Sequence, residues 1–161
     1  MIEIRLKVNK GAVYTDVEKL TSYTGSKMEK GGVEGAYDRI RTTDSANEML
    51  ERFWAEACTL ATGSLKHYIM CDDGYHPPTH GVELSDCYEA KLLLPNNFNK
   101  HLEKSIESSL HSYFVEFICS EWFLIANKEE AGVYAGNAQQ LMKDILNKLH
   151  SRIRPVRRNT Y

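Results

Sequence analysis

HSYFVEFICSEWFLIANKEE, residues His111–Glu130, is the most apolar stretch of the chain, and its reading decides the fold. Between Tyr113 and Ala126 the clearly polar residues are Glu116, Ser120 and Glu121. A membrane-crossing helix needs about 20 apolar residues; this run is shorter and holds two carboxylates. Ser109, Ser112, Glu116 and Ser120 climb one side at steps of three and four and leave a narrow polar stripe on an otherwise apolar helix. Such a helix is buried on several sides at once. Leu110, Phe117 and Leu124 share one side and are expected to face the core. Phe114, Val115, Ile118, Trp122 and Ile125 cover another. A single short bundle leaves that second side uncovered, so Phe114, Ile118 and Trp122 are expected to meet a neighbouring subunit, since interfaces favour aromatics and Arg.

The rest of the chain supplies what this helix packs against. Its 161 residues suit one domain, with enough chain to bury a core. A hydrophobic fraction of 42%, a charged fraction of 26% and a net charge of −2 are ordinary for a globular protein. They give no global field directed at nucleic acid or an anionic membrane. The four cysteines stand far apart, with no CxxC pair. Cys58 and Cys119 sit in apolar helical patterns, where a free thiol acts as a small hydrophobe. The usage predicts a reducing compartment without a disulfide framework. MIEIRLKVNK alternates apolar and charged residues and is not expected to be a signal peptide.

That alternation, with Ile2, Ile4, Leu6 and Val8 on one face, predicts a half-buried strand. Residues 13–28 read as a short helix ending near Gly25, with Val13, Val17, Leu20 and Thr24 on one side. EKGGVEG (Glu29–Gly35) reads as a flexible loop. Ser45 and Glu48 fit a capping box. The helix that follows carries Leu50, Phe53, Trp54, Ala57, Leu60, Ala61, Leu65 and Tyr68 at helical spacing. Gly63 weakens its last turns or marks a close crossing. CDDGYHPPTHG (71–81) is a loop. ELSDCYEAKLLLP holds a second strand, with Tyr88, Ala90, Leu92 and Leu94 on one face. A helix then runs from Asn97 or Asn99 to about Ala126 and breaks over NKEEAG. A last helix, from about Ala131 to Ser151, turns Tyr134, Ala138, Leu141, Met142, Ile145 and Leu149 inward. The outline is β-α-α-β-α-α. The expected fold is mainly α, a four- to five-helix bundle with a small two-stranded β element. One globular domain spans 1–151, and a basic C-terminal arm spans 152–161.

Few residues point to chemistry. Cys71, His76, His80 and Cys87 give C-x4-H-x3-H-x6-C, but zinc sites usually present two close pairs, and here each cysteine is isolated. The expectation is a polar loop and no cofactor. No nucleophile-elbow, zinc-protease, Walker or dinucleotide fingerprint occurs, so no catalytic residue is assigned and no enzyme is expected. Glu129 and Glu130 stand at the head of the last helix, where its dipole favours carboxylates. RIRPVRR carries Arg152, Arg154, Arg157 and Arg158 and no acid. Blocks of like charge often serve as interaction tails. Without interleaved aromatics the arm suits an acidic protein patch or nonspecific DNA contact rather than base readout.

Three segments, YDRIRTTDSANEMLERFWAEA, LLLPNNFNKHLEKSIESSLHSYFVEFICSEWF and NKEEAGVYAGNAQQLMKDILNKLHSRIRPVRR, resemble small proteins of phages and prophages of gut Bacteroidetes. In layout the chain is also similar to the head–tail connector (adaptor) proteins of long-tailed phages. A typical connector feature is a helix with a Trp near its end, as Trp122 stands in SEWF, followed by another helix and a C-terminal arm. The resemblance implies a non-enzymatic structural protein of virion assembly, put together in the host cytoplasm. It implies a homo-oligomeric ring that contacts portal or neck components and no membrane. Phe114, Ile118, Trp122 and the four arginines would form its contacts. The alternative is a small metal- or nucleic-acid-binding regulatory module built on Cys71, His76, His80 and the arginine tail.

Overall fold

The structure, a computed structural model, describes residues 1–70 and 86–153. Strand β1 (Ile2–Asn9) buries Ile4, Leu6 and Val8 and exposes the residues between them. Strand β2 (Cys87–Leu94) buries Tyr88, Ala90, Leu92 and Leu94. They pair antiparallel with Ile2 opposite Leu94 and Asn9 opposite Cys87, which puts both apolar sets on one face. Two strands alone make a marginal sheet. The chain around Tyr68–Met70 steadies this one: Leu93 N donates to Tyr68 O at 2.8 Å, and Met70 N donates to Lys91 O at 2.9 Å. On the far edge of β1, Lys7 N donates to the Glu107 carboxylate at 3.1 Å.

Helix α1 (Lys10–Lys30) starts directly on the strand because Asn9 caps it, its Oδ1 accepting from Ala12 N at 2.9 Å. It does not end at Gly25. Gly25 is buried inside the helix, where a Cβ would stand 2.9 Å from Tyr37 Cα. The glycine is a contact point for helix α2 (Ala36–Ile40), and it marks a crossing rather than a stop. The actual turn uses Gly32 and Gly35, with φ of 99° and 69°, which L side chains rarely adopt. Thr21 takes the inward position expected of Leu20. Its hydroxyl accepts from Thr42 N at 3.1 Å and donates to Val17 O at 3.0 Å; Leu20 is only partly buried.

Helix α3 (Asn47–Leu65) buries Leu50, Phe53, Trp54, Ala57, Cys58, Ala61, Thr62 and Leu65. The Ser45–Glu48 capping box does not form. A 3-10 turn over Asp44–Ala46 leads into the helix and makes Ala46 the cap. Ser45 thus stands one residue too early, and its hydroxyl meets that of Thr43 at 2.7 Å. Leu60 is 45% exposed rather than core. Gly63 has open space at its Cβ position and marks no crossing.

Helices α4 (Glu103–Ala126) and α5 (Lys128–Leu149) form a hairpin broken at Asn127 alone. Asn127 is extended, with φ −162°, and its Oδ1 accepts from Glu129 N at 3.3 Å. The cap starts α5 three residues earlier than the apolar pattern suggests, with Glu129 and Glu130 in its first turn. Helix α4 touches α1, α2, α3, α5 and β1. It is the axis of one core to which every strand and helix contributes. Among the described residues no helix is long and apolar enough to cross a membrane.

The glycines give a clean comparison. Gly25→Ala is expected to cost about 1–3 kcal/mol, because backbone at 2.9 Å must move. Gly63→Ala is expected to stabilise by roughly 0.5–1 kcal/mol, since nothing opposes the added methyl. Urea melts of the two variants check both signs.

Candidate functional site

The residues expected to meet a neighbour lie mostly inside the molecule. Phe114 and Ile118 are each 0% exposed. Phe114 packs its ring 4.9 Å from that of Trp54 and 5.2 Å from that of Tyr88, so α3 and the sheet cover the side of α4 that sequence periodicity leaves open. Trp122 is half-buried and engaged: its indole N–H donates to Ile40 O at 2.6 Å. The opposite side is corrected as well. Phe117 sits at the edge of the core, stacked on Tyr113 with ring centroids 6.1 Å apart, and Leu124 is 48% exposed.

The arm begins later than expected. Arg152 belongs to the body, since Nη1 donates to Leu149 O at 2.8 Å and the residue bridges to Phe98. Ile153 N donates to Asn97 O at 2.8 Å. Arg154, Arg157 and Arg158 lie outside the described residues, as do Cys71, His76 and His80. Cys87 is half-buried in the first position of β2. Cys58 and Cys119 are buried. Burial pushes the Cys58 thiol up to about 12 and raises that of Cys119, so neither is a thiolate near neutrality.

The polar stripe on α4 is a seam between helices. Ser109 donates to Asp144 at 3.3 Å and accepts from Lys148 at 2.9 Å; Asn137 donates to Glu116 at 3.1 Å. These bonds tie α4 to α5. His111 Nε2 lies 2.9 Å from an Asp16 oxygen and ties α4 to α1. Ser120 is turned inward and donates to Phe117 O at 2.7 Å.

Among the described residues, two apolar surfaces lie open along the α4–α5 hairpin. The first is the turn of the α4–α5 hairpin, where Leu124, Ile125 and Val133 are 48%, 63% and 61% exposed. The signal was present in the sequence: Leu124 and Ile125 close the apolar run, and Val133 falls outside the inner face of α5. The second is a groove of about 380 Å³ between α3 and α5. Tyr113 and Phe117 of α4 line it, with Leu60 and Ser64 of α3 and Ala138 and Met142 of α5. Glu121 also lines it, and a neighbouring depression holds Arg52, Glu56 and Thr59. Leu60 lines both. Partial burial, then the charge of Glu56, raises the Glu121 carboxyl, which Arg52 partly offsets. Among the described residues no hydrogen bond or ion pair holds Glu56 or Glu121.

Comparison of the chain with protein families, with curated proteins and with solved structures returned no match.

The seam carboxylates predict opposite pH behaviour. Burial raises Glu116 above the ordinary carboxylate value, and the Asn137 bond opposes this only in part. Its contribution to stability is therefore full in acid and lost as pH rises through the folded value. Glu116→Gln keeps an acceptor for Asn137. It should melt above the parent at pH 7 and together with it near pH 3. The hydrogen bond from His111, then that from Lys19, lowers Asp16. Its contribution is present above the unfolded value and lost as pH falls through the folded one. Asp16→Asn should therefore melt below the parent at pH 7 and match it near pH 2. Calorimetric melts across pH check both.

Proposed function

We propose that this chain is a non-enzymatic structural protein of virion assembly, of the head–tail connector kind. It works by associating with copies of itself into a ring and with portal or neck components, assembled in the host cytoplasm. The resemblance of Tyr37–Arg158 to phage and prophage proteins supports the setting. The observation that carries the self-association is the apolar tip of the α4–α5 hairpin, with Leu124, Ile125 and Val133 open to solvent. Exposed apolar residues grouped at one end of a bundle favour an interaction site over a solvated end. The contact moves there from Phe114 and Ile118, which the core has already used. A head-to-tail ring needs two different patches per subunit, and the groove beside α4 is a second surface of different character. Arg154, Arg157 and Arg158 provide the cationic arm for a partner or for nonspecific DNA contact.

The test is self-association with and without the tip. The parent chain should sediment as an oligomer at tens of micromolar. Burying Ile125 and Val133 contributes about 1–2 kcal/mol each, so Ile125→Glu/Val133→Glu should weaken association roughly a hundredfold. The far-ultraviolet circular dichroism should not change. A parent that stays monomeric, alone and beside portal or neck proteins, contradicts the proposal. Capsid, portal or tail genes beside its own would support the setting.

A further inference from the structure

Strand β1 has an open edge, and the pleat fixes which residues line it. Met70 N donates to Lys91 O and Leu93 N donates to Tyr68 O, so the odd residues of β2 bond away from β1 and its even residues bond toward it. The register then turns Ile2, Ile4, Leu6 and Val8 of β1 toward β2 and the backbone of Glu3, Arg5 and Lys7 outward. Lys7 N meets the Glu107 carboxylate. Among the described residues no hydrogen bond reaches the outward N–H and C=O of Glu3 and Arg5. Their side chains stand on the solvent face, 42% and 56% exposed. Edge strands with open N–H and C=O groups are templates for another strand.

The charges along the edge select that strand. On the solvent face Arg5 lies opposite Lys91 of β2 and 3.1 Å from Glu3 of its own strand. Lys7 faces Glu89 at 3.7 Å, and Lys104 pairs with Glu107 of α4. Arg5 thus has a like charge across β2 and one carboxylate beside it. Pairing odd residues with odd keeps both apolar faces on one side. A second β1, laid antiparallel, offers three such registers over the open stretch. Glu3 opposite Glu3 sets like charges together. Arg5 opposite Arg5 does the same and takes Lys7 N from Glu107. Glu3 opposite Arg5 joins opposite charges in both directions about a twofold axis at Ile4, and leaves the Lys7 bond in place. The chain's own last residues, RPVRRNTY, suit the edge less well: Pro155 has no N–H to give, and the arginines bring only positive charge to Arg5 and Lys7.

We infer that β1 pairs antiparallel with β1 of a second copy, Glu3 opposite Arg5, and turns the two-stranded sheet into a four-stranded one. Each Glu3–Arg5 pair exchanges both backbone hydrogen bonds, and each guanidinium gains a second carboxylate. Ile2, partly buried in one chain, comes opposite Leu6 of the other. The contact is isologous. Glu107 at this edge stands seventeen residues before Leu124 along α4, about 25 Å away. The contact is thus separate from the hairpin tip and does not depend on the assembly reading above.

Reciprocal charge changes in the full chain test it, in a background of Ile125→Glu/Val133→Glu that removes the tip. A contact this small is weak, so the background chain should dimerise in sedimentation at hundreds of micromolar. Glu3→Arg and Arg5→Glu, each alone, set like charges opposite each other and should dimerise at least tenfold more weakly. Circular dichroism should show both folded. Their equimolar mixture should form a heterodimer about as well as the background forms its homodimer, because a basic edge then meets an acidic one. In the background chain, amide exchange at Glu3 and Arg5 should slow as concentration rises while that at Lys7 holds steady. A background chain that stays monomeric overturns the inference, as do single variants that dimerise like it or a mixture that stays apart. Glu3 and Arg5 amides already protected at nanomolar overturn it as well, since the chain's own residues then cover the edge. Each of these failures leaves the tip reading to its own test in the parent chain.

Discussion

The burial of α4 is the constraint on which the rest of the structure depends. A helix apolar on nearly every side must be covered on nearly every side, and this chain covers it by itself. Phe114 is the centre of that arrangement, held between Trp54 of α3 and Tyr88 of β2. Truncating such a buried aromatic costs about 3–5 kcal/mol, a large part of what a domain of this size has in hand. The two strands, weak as a free pair, become useful as a slab whose buried face carries Ile4, Leu6, Val8, Leu92 and Leu94 into the same core. Helix α2, too short to stand alone, is placed by Gly25 on one side and by the Trp122 indole on the other.

Much of this architecture was legible in the sequence, because periodicity reports which residues face inward. Both strands, the mainly α fold and the existence of α3, α4 and α5 follow from spacings of two and of three to four. What was missed depends on tertiary contact. Gly25 reads as a helix end by its residue type, but only the approach of Tyr37 gives it a purpose. Ser45 and Glu48 have the capping-box spacing, yet the 3-10 turn moves the cap one residue on. Asn127 starts α5 through its side chain, a local bond that hydropathy does not register.

The candidate surfaces were harder to read for the same reason. A pattern shows that Phe114 and Ile118 are apolar, but not that α3 and the sheet reach round to cover Phe114. It shows Ser109 and Glu116 as a polar stripe, but not that Lys148 and Asn137 of α5 meet them there. With those groups satisfied, the open apolar surfaces of the hairpin among the described residues include its tip and a groove that α3 and α5 leave open over Tyr113 and Phe117. These surfaces differ in kind, one a projecting end and the other a lined channel with carboxylates on one side. That difference is what a head-to-tail contact requires of a single chain.

The central claim is that the chain's own core consumes the middle of the apolar run of α4, Phe114 and Ile118 above all, and leaves its last turn exposed. Amide hydrogen exchange measured across protein concentration tests this directly. The account predicts that amides of residues 110–119 exchange slowest in the molecule and equally slowly at nanomolar and at tens of micromolar. Protection near residues 124–133 should rise with concentration. Protection of residues 110–119 that disappears on dilution would contradict it, for it would mean that a neighbouring subunit, and not α3 and the sheet, buries Phe114 and Ile118.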